Sequence, residues 1–357
     1  MITNLDLFKK YYYETKANLD IIIDNYNKDL LKNKEGYLKD NLDLFVNLNS
    51  DGKLVRGLLV TLGYKIASKK MNDYSYNLAL AYEIFQTSVL IHDDIIDDDN
   101  LRRGKDTIHY ANYKDNKIYN EEYAKKNSES VGICMGDYGF YEANKIIINS
   151  YYKDSNFKDV LNYYNDIVLK TIEGELIDVK LSFDGRYKLS DTDVEENIMK
   201  VYQLKTAYYT IIGPISIGLI LGGIKDERLN QIKEFGEKIG VAFQIQDDIL
   251  GIYNDMGKVV GSDIKEYKQT LLFSDVIKND EYRKKILKYY GKKDVSYQDI
   301  EEVRNIFKES GSYDRAFDYM NKLYDEAKLL LNEISWIDEE DKKILYGFID
   351  YLCIRSK

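Results

Sequence analysis

Proline, cysteine and histidine are all scarce in this chain of 357 residues: one Pro, two Cys and two His. The single proline, Pro214, leaves nearly the whole chain free of the strongest helix breaker, so long helices are permitted. Abundant Lys, Asn, Tyr and Ile explain the same composition equally well as a residue-usage bias, so helicity has to be argued from periodicity. Cys134 and Cys353 lie far apart and have no partner motif, which excludes a disulfide scaffold and a zinc site and fits a reducing, cytoplasmic setting. Any chemistry must run with His92 and His109 as the only imidazoles. Residues 1–16 are polar and Tyr-rich, without the apolar core of a secretory signal. The longest apolar stretch, 211–224, is broken by glycines and too short to span a bilayer, so an integral membrane protein is not expected. Basic charge is not in excess either: 51 Lys and Arg against 61 Asp and Glu give a net charge of −10, which argues against nonspecific nucleic-acid binding.

What the chain has is helical periodicity. Leu5, Phe8, Tyr12, Leu19, Ile22 and Ile23 set a helix over 5–32, and apolar helices follow over 54–69 and 76–98. Residues 112–130 read as a polar helix surface or a long loop. Helices are expected over 131–150 and 160–180, and a loop over 184–193, where Ser190 is a candidate N-cap for a helix over 194–204. A buried helix over 206–221 ends at Gly222-Gly223. Residues 229–252 form another, 254–268 a loop bearing glycine and lysine, and the remainder is amphipathic helix. Nothing alternates strongly enough to demand a sheet. No linker divides the chain, so one all-α domain is expected.

Two segments carry chemistry. In residues 86–104 an apolar run meets five carboxylates and then Arg102 and Arg103. Asp93 and Asp97 share a helix face. There they repel by roughly 0.2–0.5 kcal/mol, and a nearby helix C-terminus opposes them again. A divalent cation on that face resolves the conflict, since Mg²⁺ takes oxygen ligands and bridges to phosphates, which arginines also grip. A calcium loop read from Asp97 fails, because Leu101 falls where a polar ligand is required. The second segment, Phe243 to Gly251, carries Asp247-Asp248 and is followed by Lys258, Lys265 and Lys268, with Gly261 and Asp263 among them. An isolated Asp-Asp pair is usually solvated surface. Two pairs, each after an apolar run and before cations, are much more specific.

These segments resemble the trans-isoprenyl diphosphate synthases, or polyprenyl synthetases, strongly over about residues 50–270 and more loosely beyond. Asp93, Asp94 and Asp97 match the first Asp-Asp-x-x-Asp motif, followed by Leu101-Arg102-Arg103-Gly104-Lys105. Gly52-Lys53-Leu54-Val55-Arg56, Gly136-Asp137, Gly174-Glu175-x-x-Asp178, Lys205-Thr206, Phe243-Gln244 and the Gly257-Lys258…Gly261-Ser262-Asp263 loop match further family segments. Three positions depart: Gly251 replaces the third acid of the second motif, Glu175 a glutamine and Asp106 a proline.

The resemblance implies an all-α, single-domain orthogonal helix bundle around a central cavity. It implies head-to-tail condensation of isopentenyl diphosphate with an allylic diphosphate (dimethylallyl, geranyl or farnesyl), releasing diphosphate. Metal would be held by Asp93, Asp94, Asp97, Asp178, Asp247 and Asp248, with about three Mg²⁺ ions per active site. Arg102, Lys205, Lys258 and Lys268 would contact the allylic diphosphate, and Lys53, Arg56, Gln86 and Arg103 isopentenyl diphosphate. Lys205, Thr206 and Gln244 would act at the reacting centre. The family also implies a homodimer. Taken singly, Lys53 and Arg56 have the ordinary reading of a solvated face, Gln86 that of a hydrogen-bonded core amide, and His92 a structural one. In the family, bulky residues four or five positions before the first aspartate stop elongation. Here those are Val89 and Ser88, both small, with Phe85 two turns back, so geranylgeranyl diphosphate is the expected product, and farnesyl or a longer polyprenyl diphosphate the alternative. Phe85 also has the plain reading of core filling. A terpene cyclase would not need the Lys53/Arg56/Gln86 pocket and would carry Ser or Thr and then Glu where Gly251 and Asp255 stand. A non-catalytic synthase subunit would tend to lose the acids that this chain keeps.

Overall fold

The computed structural model describes residues 2–50, 52–70, 73–187, 194–253, 261–292 and 294–354. It is all-α, as expected, with sixteen α-helices among the described residues. The chain forms two compact units.

The first unit takes Lys9–Tyr164 and Pro214–Lys225. It contains most of α1 (Asn4–Leu31), then α2 (Gly36–Ser50), α3 (Val55–Ser68), a 3₁₀ turn (Asp73–Ser75), α4 (Tyr76–Ile96), α5 (Ile108–Asn116) and α6 (Glu121–Tyr151). Helix α4 is apolar on nearly every side and is the core helix of this unit, packed against α3 and α6. Helix α6 is capped by Asn120, whose side chain accepts the Tyr123 N–H at 2.9 Å, so the polar stretch 112–130 resolves into two helices and a turn. A small sheet, not expected, joins α4 to α5. In it β1 (Leu101–Arg102) pairs antiparallel with β2 (Lys105–Asp106) through Arg103 (φ 55°) and Gly104 (φ 76°). Two successive positive φ values are the signature of a tight hairpin turn whose twist matches its strands.

The second unit takes Met1–Phe8, Asn165–Gly213 and Asp226–Lys357. Its elements are most of α7 (Phe157–Tyr187), α8 (Val194–Val201), a π-helical stretch (Tyr202–Ile212), α10 (Arg228–Tyr253), α11 (Ser262–Glu266), α12 (Leu271–Val276), α13 (Asp280–Ile286), α14 (Tyr297–Glu309), α15 (Ser312–Glu333) and α16 (Glu339–Ile354). Helix α9 (Gly213–Leu221) follows the π stretch into the first unit. Helix α10 packs on the π stretch and on α15. Helix α14 opens with a full capping box between Ser296 and Asp299.

Several boundaries differ from expectation. Helix α7 runs on through Tyr187, where a loop was expected from 184, and the Ser190 cap lies outside the described residues. Helix α2 was not foreseen, because its apolar positions are interrupted by Asn and Asp. The helical run Val194–Leu221 exceeds the apolar stretch read from sequence: it is long and apolar enough to cross a membrane by length and composition alone. Yet 83 % of its apolar window is buried in the protein, as in a core helix.

Candidate active site

In the first unit, α4 delivers the acidic motif at its C-terminal end. Asp97 caps the helix, its N–H bonded to the Asp93 carbonyl at 2.8 Å. Asp93 is half-buried, whereas Asp94 is only 2 % exposed. The hairpin then folds Arg102 back onto α4. Its Nε donates to Asp94 Oδ1 at 2.6 Å and its Nη2 also pairs with Asp94, reaching Asp99 at 3.4 Å and Asp93 at 3.9 Å. Burial pushes the Asp94 carboxyl up to about 7, against the pull of Arg102 and with a further push from Asp93 and Asp99. A β-hairpin with Arg103 in the left-handed region costs about 1–2 kcal/mol, and here it aims a guanidinium at two further acids. Arg103 itself donates to the Leu48 carbonyl at 3.3 Å.

The Gly52–Arg56 segment is held by a second left-handed residue, Leu54 (φ 53°), and by Tyr12, whose hydroxyl donates to the Lys53 carbonyl at 3.0 Å. Lys53 is exposed, and Arg56 and Gln86 are half-buried. The sequence reading missed Glu83. Its buried carboxyl accepts the Gly57 N–H at 2.6 Å and feels the charges of Arg56 and Arg103, while burial raises its proton affinity. An acid in the middle of an apolar helix was the available signal. Ser88 and Phe85 are both fully buried. Phe85 sits among Tyr82, Phe140 and Tyr164, with ring centroids 5.5–5.7 Å apart. Ser88 lies against α6 so closely that a Cβ on Gly139 would fall 2.2 Å from its hydroxyl. Val89 is half-buried.

In the second unit, α7, the π stretch and α10 carry the remaining residues. Lys205 extends its ammonium to Glu175 (2.6 Å) and Asp178 (2.9 Å), so the glutamate at the departing position makes this an ion triad. Helix α10 approaches the π stretch so closely that a Cβ on Gly240 would lie 2.3 Å from the Ala207 Cα. That approach joins Thr206 to Gln244: the Thr206 hydroxyl donates to Gln244 Oε1 at 2.5 Å. Gln244 Nε2 donates in turn to Asp248 Oδ1 at 2.7 Å, and the Tyr202 hydroxyl donates to Asp248 Oδ2. Burial pushes the Asp248 carboxyl up to about 8, with Asp263 and Asp247 adding and the Tyr202 and Gln244 donors opposing. Asp247, by contrast, is half-buried. Where Gly251 lacks a carboxylate, the side chain of Asp263 fills the room, its Oδ2 2.9 Å from where a Cβ would be. Lys268 lies 3.6 Å from Glu266. Lys258 falls outside the described residues.

Among the described residues no three acidic, His or Cys side chains are gathered as a ready-made metal site. The donors are nonetheless all carboxylate oxygens, the set that suits Mg²⁺, which is commonly held by one or two carboxylates with waters and substrate phosphates completing the shell.

The sequence pattern of the Polyprenyl synthetase family matches residues 39–307. The chain belongs to this family. Its members are prenyltransferases and metal-dependent, and this chain is an enzyme of that class. Among the relatives of this polyprenyl synthetase is the geranylgeranyl diphosphate synthase of Sulfolobus acidocaldarius, 28 % identical over 99 % of this chain and 100 % of that one. The farnesyl pyrophosphate synthase of Zea mays is also 28 % identical, over 88 % of each chain. Of the solved structures, a geranylgeranyl pyrophosphate synthase from Corynebacterium glutamicum, complexed with isoprenyl diphosphate and magnesium, superposes with a TM-score of 0.83 at 25 % identity, covering 97 % of this chain and 98 % of that one.

Proposed function

We propose that this polyprenyl synthetase makes geranylgeranyl diphosphate by adding isopentenyl diphosphate to dimethylallyl, geranyl or farnesyl diphosphate, with Mg²⁺. The observation that carries the reading is the end of α4, where Asp93, Asp94 and Asp97 meet an arginine returned by a hairpin. In the first unit Asp93 and Asp97, with Asp94 in support, and in the second unit Asp178 and Asp247 are proposed to hold metal, whereas both oxygens of Asp248 are taken by protein donors. When bound, Mg²⁺ would offset the negative charge that grows on the departing diphosphate. Arg102, Lys205, Lys258 and Lys268 bind the same diphosphate, Arg102 by exchanging Asp94 for a phosphate oxygen and Lys205 by leaving its two carboxylates. Lys53, Arg56, Gln86 and Arg103 hold isopentenyl diphosphate, with Glu83 orienting the two arginines. Thr206 and Gln244 offer oxygen dipoles to the allylic cation. No side-chain base is assigned, since the released diphosphate can take the final proton.

The product assignment leans on the small Ser88 and Val89 and on the aromatic wall at Phe85. Relatives of equal identity are named for different products, so length has to be measured. Mass spectrometry of products formed from each starter with isopentenyl diphosphate and Mg²⁺ is expected to give geranylgeranyl diphosphate as end product, and a shorter product with Val89→Phe. Val89 is the better probe, because a ring at Ser88 would be driven into α6. A farnesyl end product would replace the length assignment; no product from any starter would overturn the reaction.

We propose further that both units act as one cytoplasmic, non-membrane domain, a reading supported by a family match that runs through both. A homodimer is proposed on an apolar stripe along α7: Leu169, Ile172, Leu176, Val179, Phe183 and Tyr187 are all exposed, at three- and four-residue spacing. Sedimentation velocity is expected to show a dimer that Leu176→Glu dissociates; a monomeric wild type would remove this proposal.

A further inference from the structure

We propose that Asp248, anchored by Tyr202, is a positioning residue that sets the direction of the Thr206 hydroxyl, so that Thr206 Oγ presents only lone pairs to the reacting centre. The inference rests on the prenyl-transfer reading above and adds to it a role for two buried residues. It begins at Tyr202, which is 3 % exposed. The Leu271 N–H donates to the Tyr202 oxygen at 2.9 Å, so the phenolic proton is directed to Asp248 Oδ2. The other oxygen, Oδ1, accepts from Gln244 Nε2. Donors meet both Asp248 oxygens, the pattern of an ionised carboxylate, which only accepts, even though burial raises its proton affinity; a glutamine amide has a donating and an accepting end. Asp248 therefore selects which end of Gln244 it meets, and Oε1 is left facing Thr206. The threonine has one hydroxyl proton, and that proton is committed to Gln244 at 2.5 Å. With the amide turned over, Thr206 would accept instead, and its proton would be free to point at an electron-poor carbon. The polarity of the Thr206 dipole is thus fixed two residues away from it. Both Asp248 oxygens are occupied by protein donors, which separates its task from that of Asp247, the metal ligand proposed beside it.

The test uses the full-length enzyme with an allylic diphosphate, isopentenyl diphosphate and Mg²⁺. Asp248→Leu is expected to lower kcat by about 30-fold or more, while KM for both diphosphates and the half-saturating Mg²⁺ concentration stay within about twofold. Asp248→Asn, which can still accept from Gln244, is expected to recover activity to within about fivefold of wild type. If Asp248→Leu does not fold, Tyr202→Phe serves, with kcat expected to fall about fivefold at unchanged KM. An unchanged kcat, or a half-saturating Mg²⁺ concentration raised about tenfold, would overturn the assignment, the latter making Asp248 a metal ligand. A readout without turnover accompanies these: in ¹⁵N NMR the Gln244 side-chain NH₂ should exchange slowly with water in the wild type and faster in Tyr202→Phe and Asp248→Leu. Equal exchange in all three refutes the relay. A wild type that forms no prenyl diphosphate refutes the parent reading while the NMR comparison still decides the relay.

Discussion

The two Asp-Asp pairs look alike as text and are built differently. In each, the first aspartate is half-buried and the second is buried and held by the protein. In the first unit the holder is a cation: Arg102 clasps Asp94 at the end of a helix, on a hairpin turned by a left-handed arginine. In the second unit the holders are neutral: Tyr202 and Gln244 clasp Asp248 within the last turns of α10. A doublet of acids thus divides into one member oriented by protein and one more open to solvent. The ionic version is the one proposed to let go of its partner when a phosphate competes. The neutral version has no such competitor and keeps its geometry.

Unfolding in urea should separate the two designs most sharply. Arg102→Ala leaves a buried carboxylate without its cation and is expected to cost about 3–5 kcal/mol, whereas Tyr202→Phe removes the two hydrogen bonds of a neutral hydroxyl, to Leu271 and to Asp248, and should cost about 2 kcal/mol. Equal losses would erase the distinction. Next in size is Gly240→Ala. Its methyl would press on the Ala207 Cα, an overpacking expected to cost about 1–3 kcal/mol and to part Thr206 from Gln244. Thermal melting gives the first effect, and a loss of kcat beyond that of Tyr202→Phe gives the second. The smallest effect concerns Glu83, a buried acid held by a backbone N–H. Burial raises its folded pKa above the ordinary 4.5, so its contribution to stability is fully present below that pH and is lost as pH rises toward the raised value. Glu83→Gln keeps an acceptor for Gly57 without the charge. Its melting temperature relative to wild type should therefore increase between pH 5 and pH 8, by a few degrees. A flat difference would show that Glu83 is not buried as an acid.

The helices were legible because their apolar positions repeat: 76–98 and 229–252 match α4 and α10 to within about two residues. The motif acids were legible too, since unlike their surroundings they had no structural excuse for being there. What a periodic pattern cannot give is the identity of a distant partner. Tyr202 lies 46 residues from Asp248, and nothing in either local pattern links them. The hairpin was missed because Arg-Gly is a poor advertisement for a turn that prefers Asn-Gly. Asp263 was read as part of a loop, although the glycine at 251 had left a space of its own size. The π stretch was invisible for a different reason: its composition, Tyr-Gln-Leu-Lys-Thr-Ala-Tyr-Tyr-Thr-Ile-Ile, is that of any buried helix.

That wide-turned segment has a consequence for how this enzyme can change over time. Removing one residue from Tyr202–Ile212 would let the backbone relax to ordinary α geometry, a gain for the fold. Because the wide turn absorbs a residue that an α-turn of the same sweep lacks, the change falls on the turn itself and not on the helices either side. Lys205 and Thr206 lie on this segment, so a shortening within it changes how they face Gly240 and α10. Deleting one residue here is therefore expected to keep a sturdy helix while displacing Lys205 and Thr206 from the partners they now hold.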